Sequence, residues 1–400
     1  MKIKQQTFKP CVIGLGYVGL PILVNLSKKY FSFGYDINKK RIIELKKGND
    51  IFGEFKTQEL KKNLNFESNL KNISFCNIFI VTVPTPILKN KRPDLSHIKN
   101  VCLNISKILK KGDIIIFEST VYPGVTENIC VPLIEKNCLL KNGADFFCGY
   151  SPERVNPGDN KHQLKKINKI LAYPHNYKKK DLLKLYSNLG KEIVLSKNIK
   201  EAETAKVIEN IQRDVNIGLI NEIFLACNNL NLNYKNIIKL ASTKWNFLSF
   251  KPGLVGGHCL PVDPYYFSYI CKKNKFNTNI VLAGRNLNDQ MAIVVRDIIK
   301  SKIKNLKIKK KIKVLICGLT YKQNVADLRN SLAFKIFKML KNKYIKGFDP
   351  LVDFNTAKKN GILTNKNHVN KFDIFIVLTK HRQLKKILNK IDKKKIITPI

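Results

Sequence analysis

Short apolar runs alternate with helix-compatible stretches along the first half of the chain. The runs are rich in β-branched and aromatic residues and predict strands at 11–13, 31–35, 75–83, 113–118, 146–150 and 191–195. Strands that alternate with helices form mostly parallel sheets with helices on both faces. The pattern therefore predicts an α/β domain over residues 1–199.

A different pattern begins near residue 200. Residues 200–233 contain no proline and one glycine, and apolar residues recur at helical spacing at Val207, Ile211, Val215, Leu219, Ile223 and Ala226. This predicts one helix of about 30 residues, compared with a usual length of about 11 or 12. Such a helix commonly spans between domains or pairs with a partner, so we expect a central helical region over 200–300.

Strand-like runs return in the last quarter of the chain, at 312–317, 344–348 and 373–378. They predict a second, smaller α/β unit over residues 301–400. Its first strand leads into Gly318, much as the strand at 11–13 leads into Gly14. The two strand-then-glycine patterns suggest two related nucleotide-binding folds.

The net charge of +44 raises the question of nucleic-acid binding. It arises from 73 Lys and Arg against 29 Asp and Glu, but only eight of the basic residues are Arg. The lysines are spread along the chain and form no basic stripe interleaved with aromatic residues. We therefore expect no nucleic-acid partner, although the positive field would attract an anionic nucleotide substrate.

Apolar runs and cysteine spacing limit the cellular setting. The apolar runs are shorter than the roughly 18 to 20 residues that span a bilayer, so we expect no membrane insertion. Three lysines before the first apolar run also fit a secretory signal, but no small-residue cleavage site follows. The ten cysteines include no C-x-x-C pair, which argues against a metal site and a disulfide framework and favours the reducing cytoplasm.

A glycine pattern follows the first predicted strand, in the order Gly14, Leu15, Gly16, Tyr17, Val18, Gly19. This spacing lets the first glycine turn the chain, the second admit a pyrophosphate, and the third pack helix against strand. Asp36 ends the next strand about 20 residues on, where a carboxylate bonds ribose hydroxyls and disfavours a 2′-phosphate. We therefore expect NAD as the cofactor. Further cofactor-binding candidates are Arg41, Thr82, Pro84, Thr85 and Thr120.

Cys259 lies in the run GGHCLPVDP at 256–264, four residues before Asp263. The two glycines allow backbone conformations closed to other residues, and prolines on both sides of Asp263 stiffen the turn. A thiol presented in this way can trap an aldehyde, although cysteines are often simply buried. His258 beside it is a weaker candidate for a base, since neighbouring side chains in a turn usually point apart.

Other candidates lie on the long helix and after a predicted strand. Lys206 and Asn210 are four residues apart, with Arg213 near the same side, and such a pair can stabilise a developing oxyanion. Glu153 is either a base acting through water or a salt-bridge partner for Arg154. Candidates for sugar or uridine contacts precede and include the glycine-rich turn: Lys244, Trp245, Asn246, Phe250, Gly253 and Gly256.

The motifs GLGYVG, VPTP, STVYPG, SPERVNPGD, Lys206-x-x-x-Asn210, GGHCLPVDP and GLTYKQNVADLRNS occur in this order. Together they resemble the UDP-glucose/GDP-mannose dehydrogenase family over essentially the whole chain. The form of several motifs is most similar to the branch acting on UDP-N-acetylhexosamines, of the capsule and Vi-antigen type. The resemblance implies an N-terminal Rossmann domain, a central long-helix region that forms a homodimer, and a smaller C-terminal UDP-sugar-binding domain.

The resemblance also implies a four-electron oxidation of the sugar C6 alcohol with two NAD⁺, for surface polysaccharide synthesis. Cys259 would form a thiohemiacetal and then a thioester; Lys206 and Asn210 would stabilise the oxyanion; Asp263 would manage the proton and water. Glu153 and Thr120 would position the hydrolytic water. Substrate-binding candidates are Glu153, Arg154, Val155, Lys206, Asn210, Arg213 and Lys322, and Arg329 matches a position near the cofactor.

One departure from the family concerns the substrate. Members specific for UDP-glucose carry a second glutamate four residues after Glu153, where this chain has Pro157. This weighs against UDP-glucose, so we expect UDP-GlcNAc or UDP-GalNAc as the substrate, with UDP-ManNAc and UDP-glucose as the alternatives. Two other functions remain open: a two-electron β-hydroxyacid-type dehydrogenase that needs no thiol, and a nucleotide-binding regulatory protein without turnover.

Overall fold

Two mainly parallel sheets organise the chain, each in a unit of its own. The computed structural model describes residues 8–50, 55–60, 64–155, 164–306 and 312–400; Pro157 lies outside them. One unit contains the described residues up to Glu209 together with Tyr265–Lys275. The other contains Asn210–Pro264 and the described residues from Phe276 onward. The three-domain division at 1–199, 200–300 and 301–400 stays a prediction.

The first unit is a doubly wound α/β fold. Its strands are β1 (Pro10–Ile13), β2 (Phe33–Tyr35), β3 (Asn65–Glu67), β4 (Ile78–Val81), β5 (Ile114–Phe117), β6 (Phe147–Tyr150), β7 (Lys169–Ala172) and β8 (Ile193–Ser196). They lie in the order β3-β2-β1-β4-β5-β6-β7-β8, and of these neighbours only β6 and β7 pair antiparallel. The order reverses between β1 and β4, which is where such sheets bind dinucleotides.

Helices cover this sheet: α1 (Gly19–Leu26), α2 (Lys39–Lys46), α3 (Thr57–Leu60), α4 (Ser96–Ser106), α5 (Val131–Cys138) and α6 (Lys179–Tyr186). The central strands β4 and β5 consist only of buried apolar residues. Strands of this kind are typical of parallel sheets covered on both faces. Two strands of this sheet were not predicted. β3 is short and polar at both ends, and β7 begins with a lysine, a residue that usually indicates an exposed position.

The predicted long helix is α7 (Ile199–Asn229), which begins in the first unit and continues into the second. It ends four residues earlier than predicted because Asn231 has a left-handed backbone, with φ of 55°. Asparagine tolerates this conformation, which commonly ends helices. A second helix, α9 (Asp263–Lys273), also begins in one unit and continues into the other.

The second unit contains α8 (Tyr234–Ala241), α10 (Asn279–Asn305) and a five-stranded parallel sheet. The strands are β9 (Val314–Cys317), β10 (Ile345–Phe348), β11 (Ile362–Leu363), β12 (Ile374–Val377) and β13 (Ile396–Ile397), in the order β11-β10-β9-β12-β13. Their helices are α11 (Leu332–Leu340), α12 (Phe354–Asn360) and α13 (Arg382–Leu388). The predicted α/β fold class, with its smaller C-terminal Rossmann-like part, is confirmed.

The two sheets share a local structure after their first strand. In each, a glycine with positive φ follows the strand: Gly14 at 94° and Gly318 at 76°. The amide of the next residue then donates to an aspartate that ends the neighbouring strand, to Asp36 Oδ2 at 2.9 Å and to Asp349 Oδ2 at 2.6 Å. Only the first turn leads straight into a helix, since α1 begins at residue 19 and α11 only at residue 332.

Candidate active site

The glycine turn of the first unit is shaped by close backbone approach. A Cβ on Gly14 would lie 3.1 Å from the Thr82 carbonyl oxygen, and a Cβ on Gly19 would overlap the Gly14 carbonyl oxygen. A Cβ on Gly16 would meet nothing within 4 Å. The first and third glycines therefore pack the turn, while the second leaves open space that fits a pyrophosphate.

Asp36 and Arg41 brace this turn from the end of β2 and from α2. Asp36 accepts hydrogen bonds from the amides of Leu15 at 2.9 Å and Asn38 at 2.8 Å. The buried Arg41 side chain donates from Nε to the Leu15 carbonyl at 3.0 Å and pairs with Asp50 at 3.0 Å. Asp36 thus has a fixed orientation, and Arg41 holds the backbone of the turn.

The other cofactor candidates of this unit follow β4 and β5. Thr82 is buried, and its hydroxyl donates to the carbonyl of Gly14 at 2.6 Å. The Thr85 hydroxyl donates to the Thr120 carbonyl at 2.5 Å, which joins the two loops. Pro84 is exposed beside them, whereas Tyr17, Val18 and Thr120 are half-buried.

Glu153 lies three residues after β6 and is buried. Its Oε1 accepts from the amides of Arg154 at 2.7 Å and Val155 at 2.6 Å, and its Oε2 accepts from Lys169 Nζ at 3.1 Å. The Arg154 guanidinium pairs instead with Glu209, at 2.7 Å. The alternative prediction, in which Glu153 forms a salt bridge with Arg154, is therefore wrong. Lys169 was missed because no local pattern marks a lysine as buried.

Three candidates lie on α7: Lys206, Asn210 and Arg213. Lys206 is buried and belongs to the first unit. Asn210, in the second unit, donates from Nδ2 to Asp263 Oδ2 at 2.5 Å. Asp263 is 1% exposed and begins α9. Arg213 is exposed on the same helix. Asn210 and Asp263 are thus joined directly, whereas Arg213 lies on the surface.

Cys259 begins the turn that leads into α9. Its carbonyl accepts from the amides of Val262 at 2.9 Å and Asp263 at 3.0 Å, so one helical turn connects the thiol residue to the carboxylate. All ten cysteines lie in described residues, and Cys259 is the only one classed as exposed. Helix N-termini carry partial positive charge, which favours an anion at this position.

The glycines before Cys259 pack against the loop that follows β9. A Cβ on Gly256 would lie 2.6 Å from the Asn330 carbonyl oxygen. Gly257 has φ of 95°, and a Cβ there would lie 2.7 Å from the Tyr321 ring. Asn330 also donates from Nδ2 to the Gly257 carbonyl at 3.2 Å. The two glycines are therefore required by close contact as well as by the turn.

His258 pairs with Asp327, with its Nε2 3.2 Å from Asp327 Oδ2. Arg329 contacts the same carboxylate from Nε and Nη2, at 3.0 Å and 2.8 Å. Burial alone would raise the pKa of Asp327, but hydrogen bonds from His258 and Arg329 outweigh it and hold that pKa well below its ordinary value. Asp327 therefore ties the cysteine turn to the loop that carries Arg329 and the half-buried Lys322.

Residues 244–253 form an irregular segment between α8 and the glycine turn. Lys244 and Asn246 are exposed, Trp245 is 92% exposed, and Phe250 is half-buried. Asn221 on α7 holds the end of this segment through both backbone groups of Gly253, at 2.8 Å and 3.1 Å. The sugar-contact candidates thus lie on a surface segment anchored at one end.

A buried polar network in the second unit was also missed. Arg285 on α10 is fully buried and pairs with Asp214 on α7, and its Nη1 reaches the Leu260 carbonyl at 3.4 Å. Asn288 donates to Asp214 Oδ1 at 2.9 Å. Burial raises the pKa of Asp214 to about 6, with Arg285 opposing the change. The network supports the residue directly after Cys259.

Two observations concern metal ions and membranes. Across the described ranges, no three or more His, Cys, Asp or Glu side chains are grouped so that they could hold a metal ion. Nor does any described helix combine the length and apolarity needed to cross a membrane.

The sequence matches the UDP-glucose/GDP-mannose dehydrogenase family in three segments. These are the NAD binding domain over residues 8–190, the central domain over 200–290 and the UDP binding domain over 315–400. All three matches follow the family's order along the chain, which supports a three-domain architecture.

Individual relatives and a solved structure agree with this match. A UDP-N-acetyl-D-glucosamine 6-dehydrogenase of Pseudomonas aeruginosa is 46% identical over 87% of this chain and 84% of its own. One from Salmonella typhi is 41% identical over 95% and 91%. The structure of UDP-D-ManNAc dehydrogenase from Pyrococcus horikoshii superposes with a TM-score of 0.83 at 28% identity, covering 97% of this chain and 93% of that one.

Proposed function

The chain belongs to the UDP-glucose/GDP-mannose dehydrogenase family and is an NAD-dependent nucleotide-sugar dehydrogenase, and we propose that it oxidises the C6 hydroxyl of UDP-GlcNAc or UDP-GalNAc to the carboxylate. Activity on a UDP-N-acetylhexosamine is supported by relatives at 41–46% identity. The solved UDP-D-ManNAc dehydrogenase is less similar, at 28% identity, which supports the GlcNAc branch over the ManNAc branch.

The cofactor fits the first unit. The open space above Gly16 suits a pyrophosphate, and Asp36 presents an oriented carboxylate for the ribose hydroxyls. When bound, NAD⁺ accepts a hydride in each of the two oxidations. The residues proposed to hold it are Gly14, Gly16, Asp36 and Thr85.

Cys259 carries the proposed chemistry. Oxidation of the alcohol yields an aldehyde, to which the thiol adds as a thiohemiacetal; a second oxidation leaves a thioester, and water releases the carboxylate and the thiol. The observation that supports this most directly is the exposed Cys259 one helical turn before Asp263, whose carboxylate Asn210 holds at 2.5 Å. Lys206 supplies the cation proposed to stabilise the oxyanion.

A turnover assay with a panel of nucleotide sugars tests the proposal. UDP-GlcNAc, UDP-GalNAc, UDP-ManNAc, UDP-glucose and GDP-mannose are compared, with NADH counted per product. We expect two NADH per UDP-GlcNAc or UDP-GalNAc, and a Cys259→Ser enzyme that stalls after at most one. Cys138→Ser, which alters another partly accessible thiol, should retain activity. Free aldehyde as the final product, at one NADH per sugar, would refute the thioester route.

A homodimer formed through the central helices is the second part of the proposal. α8 has no buried residue although its apolar side chains lie on one face. Leu240 on α8 is 70% exposed, Leu219 on α7 is 54% exposed, and Leu230 and Leu232 between the two helices are 65% and 51% exposed. Exposed apolar side chains in this number favour an interaction surface, and we assign it to a second copy of the chain.

Light scattering on a sizing column tests the dimer. Wild type should have twice the mass of one chain at micromolar concentration, and the double variant Leu230→Glu/Leu240→Glu should have the mass of one. Leu139→Glu, at a leucine 90% exposed in the first unit, is the matched control and should stay dimeric. A dimer that survives the double substitution would contradict the assignment.

A further inference from the structure

A buried cluster of charged side chains lies where β5, β6 and β7 meet in the first unit. Glu118 follows β5, Glu153 follows β6, and Lys169 begins β7. Because β7 runs antiparallel to β6, its first residue lies beyond the carboxyl end of β6, beside Glu153. The three residues are 2%, 7% and 3% exposed respectively, so the cluster is buried.

Lys169 joins the two carboxylates. Its ammonium donates to Glu118 Oε2 at 2.7 Å and to Glu153 Oε2 at 3.1 Å, while the Tyr186 hydroxyl donates to Glu118 Oε1 at 2.8 Å. Burial of the ammonium would lower the pKa of Lys169, but the two carboxylates outweigh it and raise that pKa. The lysine is therefore charged, and it is the only cation of the described residues in a 4 Å ion pair with Glu153.

Glu153 is held at both oxygens. Two backbone amides occupy Oε1 at 2.6 and 2.7 Å, and Lys169 occupies Oε2. Three donors on its two oxygens hold this carboxylate in one orientation. A carboxylate held in this way can orient a water molecule by accepting its hydrogen bond.

We propose that Lys169 is a positioning residue that fixes the Glu153 carboxylate for thioester hydrolysis. The inference rests on the proposed thioester route and on the role at the hydrolytic water that the family resemblance implies for Glu153. In that step water adds to the thioester carbonyl and the C–S bond breaks. The products are the carboxylate, the Cys259 thiol and one proton. Both oxidations precede this step, so a residue that acts in hydrolysis alone leaves them unchanged.

The test compares Glu118→Gln with Glu118→Gln/Lys169→Met. The single variant keeps the contact between Lys169 and Glu153 and removes a carboxylate that does not touch Glu153. The double variant removes the contact while keeping the net charge of the cluster at the wild-type value, since one carboxylate remains in place of two and one ammonium. The single variant therefore controls for loss of the Glu118 carboxylate, and wild type controls for the net charge of the cluster.

Rapid mixing with NAD⁺ and UDP-GlcNAc or UDP-GalNAc measures the NADH burst, and intact mass spectrometry measures acylated Cys259. The single variant should turn over within threefold of wild type. The double variant should release two NADH per site in a burst within threefold of wild type, and then turn over at least 30-fold more slowly with Cys259 acylated. Hydroxylamine, which cleaves thioesters without an oriented water, should restore its turnover.

Three outcomes are decisive. The proposal would be overturned if the double variant lost its NADH burst and its steady-state turnover equally, with no acylated Cys259. It would also be overturned if the double variant turned over within threefold of the single variant. If the double variant does not fold, Glu118→Gln/Lys169→Gln is measured by the same criteria. A wild-type enzyme that gives no burst with any UDP-sugar would instead refute the proposed function itself.

Discussion

Gly257→Ala tests whether the backbone before Cys259 is held in a conformation that only glycine adopts there. Gly257 has φ of 95°, and a left-handed backbone costs other residues roughly 1–2 kcal/mol. The added Cβ would also lie 2.7 and 2.8 Å from two atoms of the Tyr321 ring. Ordinary carbon contacts are about 3.5–4.0 Å, and overpacking of this kind costs about 1–3 kcal/mol.

The two costs sum to about 2–5 kcal/mol. The turn that carries Cys259 can avoid them by adopting another conformation, which would displace the thiol. Because each 1.36 kcal/mol is tenfold in rate, turnover should fall at least about 30-fold. The assay is steady-state NADH formation at saturating substrate, together with thermal unfolding to confirm that the variant is folded.

Gly361→Ala is the matched control for backbone strain. Gly361 has φ of 69° at the end of α12, and a Cβ there would meet nothing within 4 Å. This variant should lose thermal stability through the backbone cost alone and keep turnover within twofold of wild type. If folded Gly257→Ala also keeps turnover within threefold of wild type, the reasoning that the glycine positions Cys259 is refuted.

Three further predictions concern Asp36, Asp113 and Arg285. Asp36→Asn should raise kcat/KM with NADP relative to NAD roughly tenfold, because a negative charge beside the 2′-phosphate is removed; an unchanged ratio would exclude Asp36 from cofactor choice. Burial raises the pKa of Asp113 from 3.8 to about 6, so its ionisation costs the wild type about 3 kcal/mol of stability as the pH rises from 4 to 6. Asp113→Asn lacks this loss, so its thermal midpoint should rise relative to that of wild type between pH 4 and pH 6. A constant difference between the two midpoints over this range would contradict the raised pKa. Arg285→Met should lower the free energy of unfolding by about 3–5 kcal/mol in urea titrations, because Asp214 is left as an unpaired buried charge, and adding Asp214→Asn should recover part of it.

Sequence patterns alone predict the fold class, the family and the cofactor correctly. Apolar runs and glycine positions are local signals, and each reports one element or turn directly. The predicted helix at 200–233 is found at 199–229, and the strand before Gly14 lies within one residue of its prediction. These succeed because periodicity and turn chemistry depend on neighbours along the chain.

The pairing of charged and polar side chains could not be predicted, because it depends on how the chain packs. Lys169 lies 51 positions from Glu118, His258 lies 69 from Asp327, and Asp214 lies 71 from Arg285. Each pair is brought together by strands or helices that are distant in sequence, and each depends on burial that the sequence pattern does not report. Removing charges from water is costly unless they are paired, so these partners are fixed by packing, and packing exists only once the chain has folded.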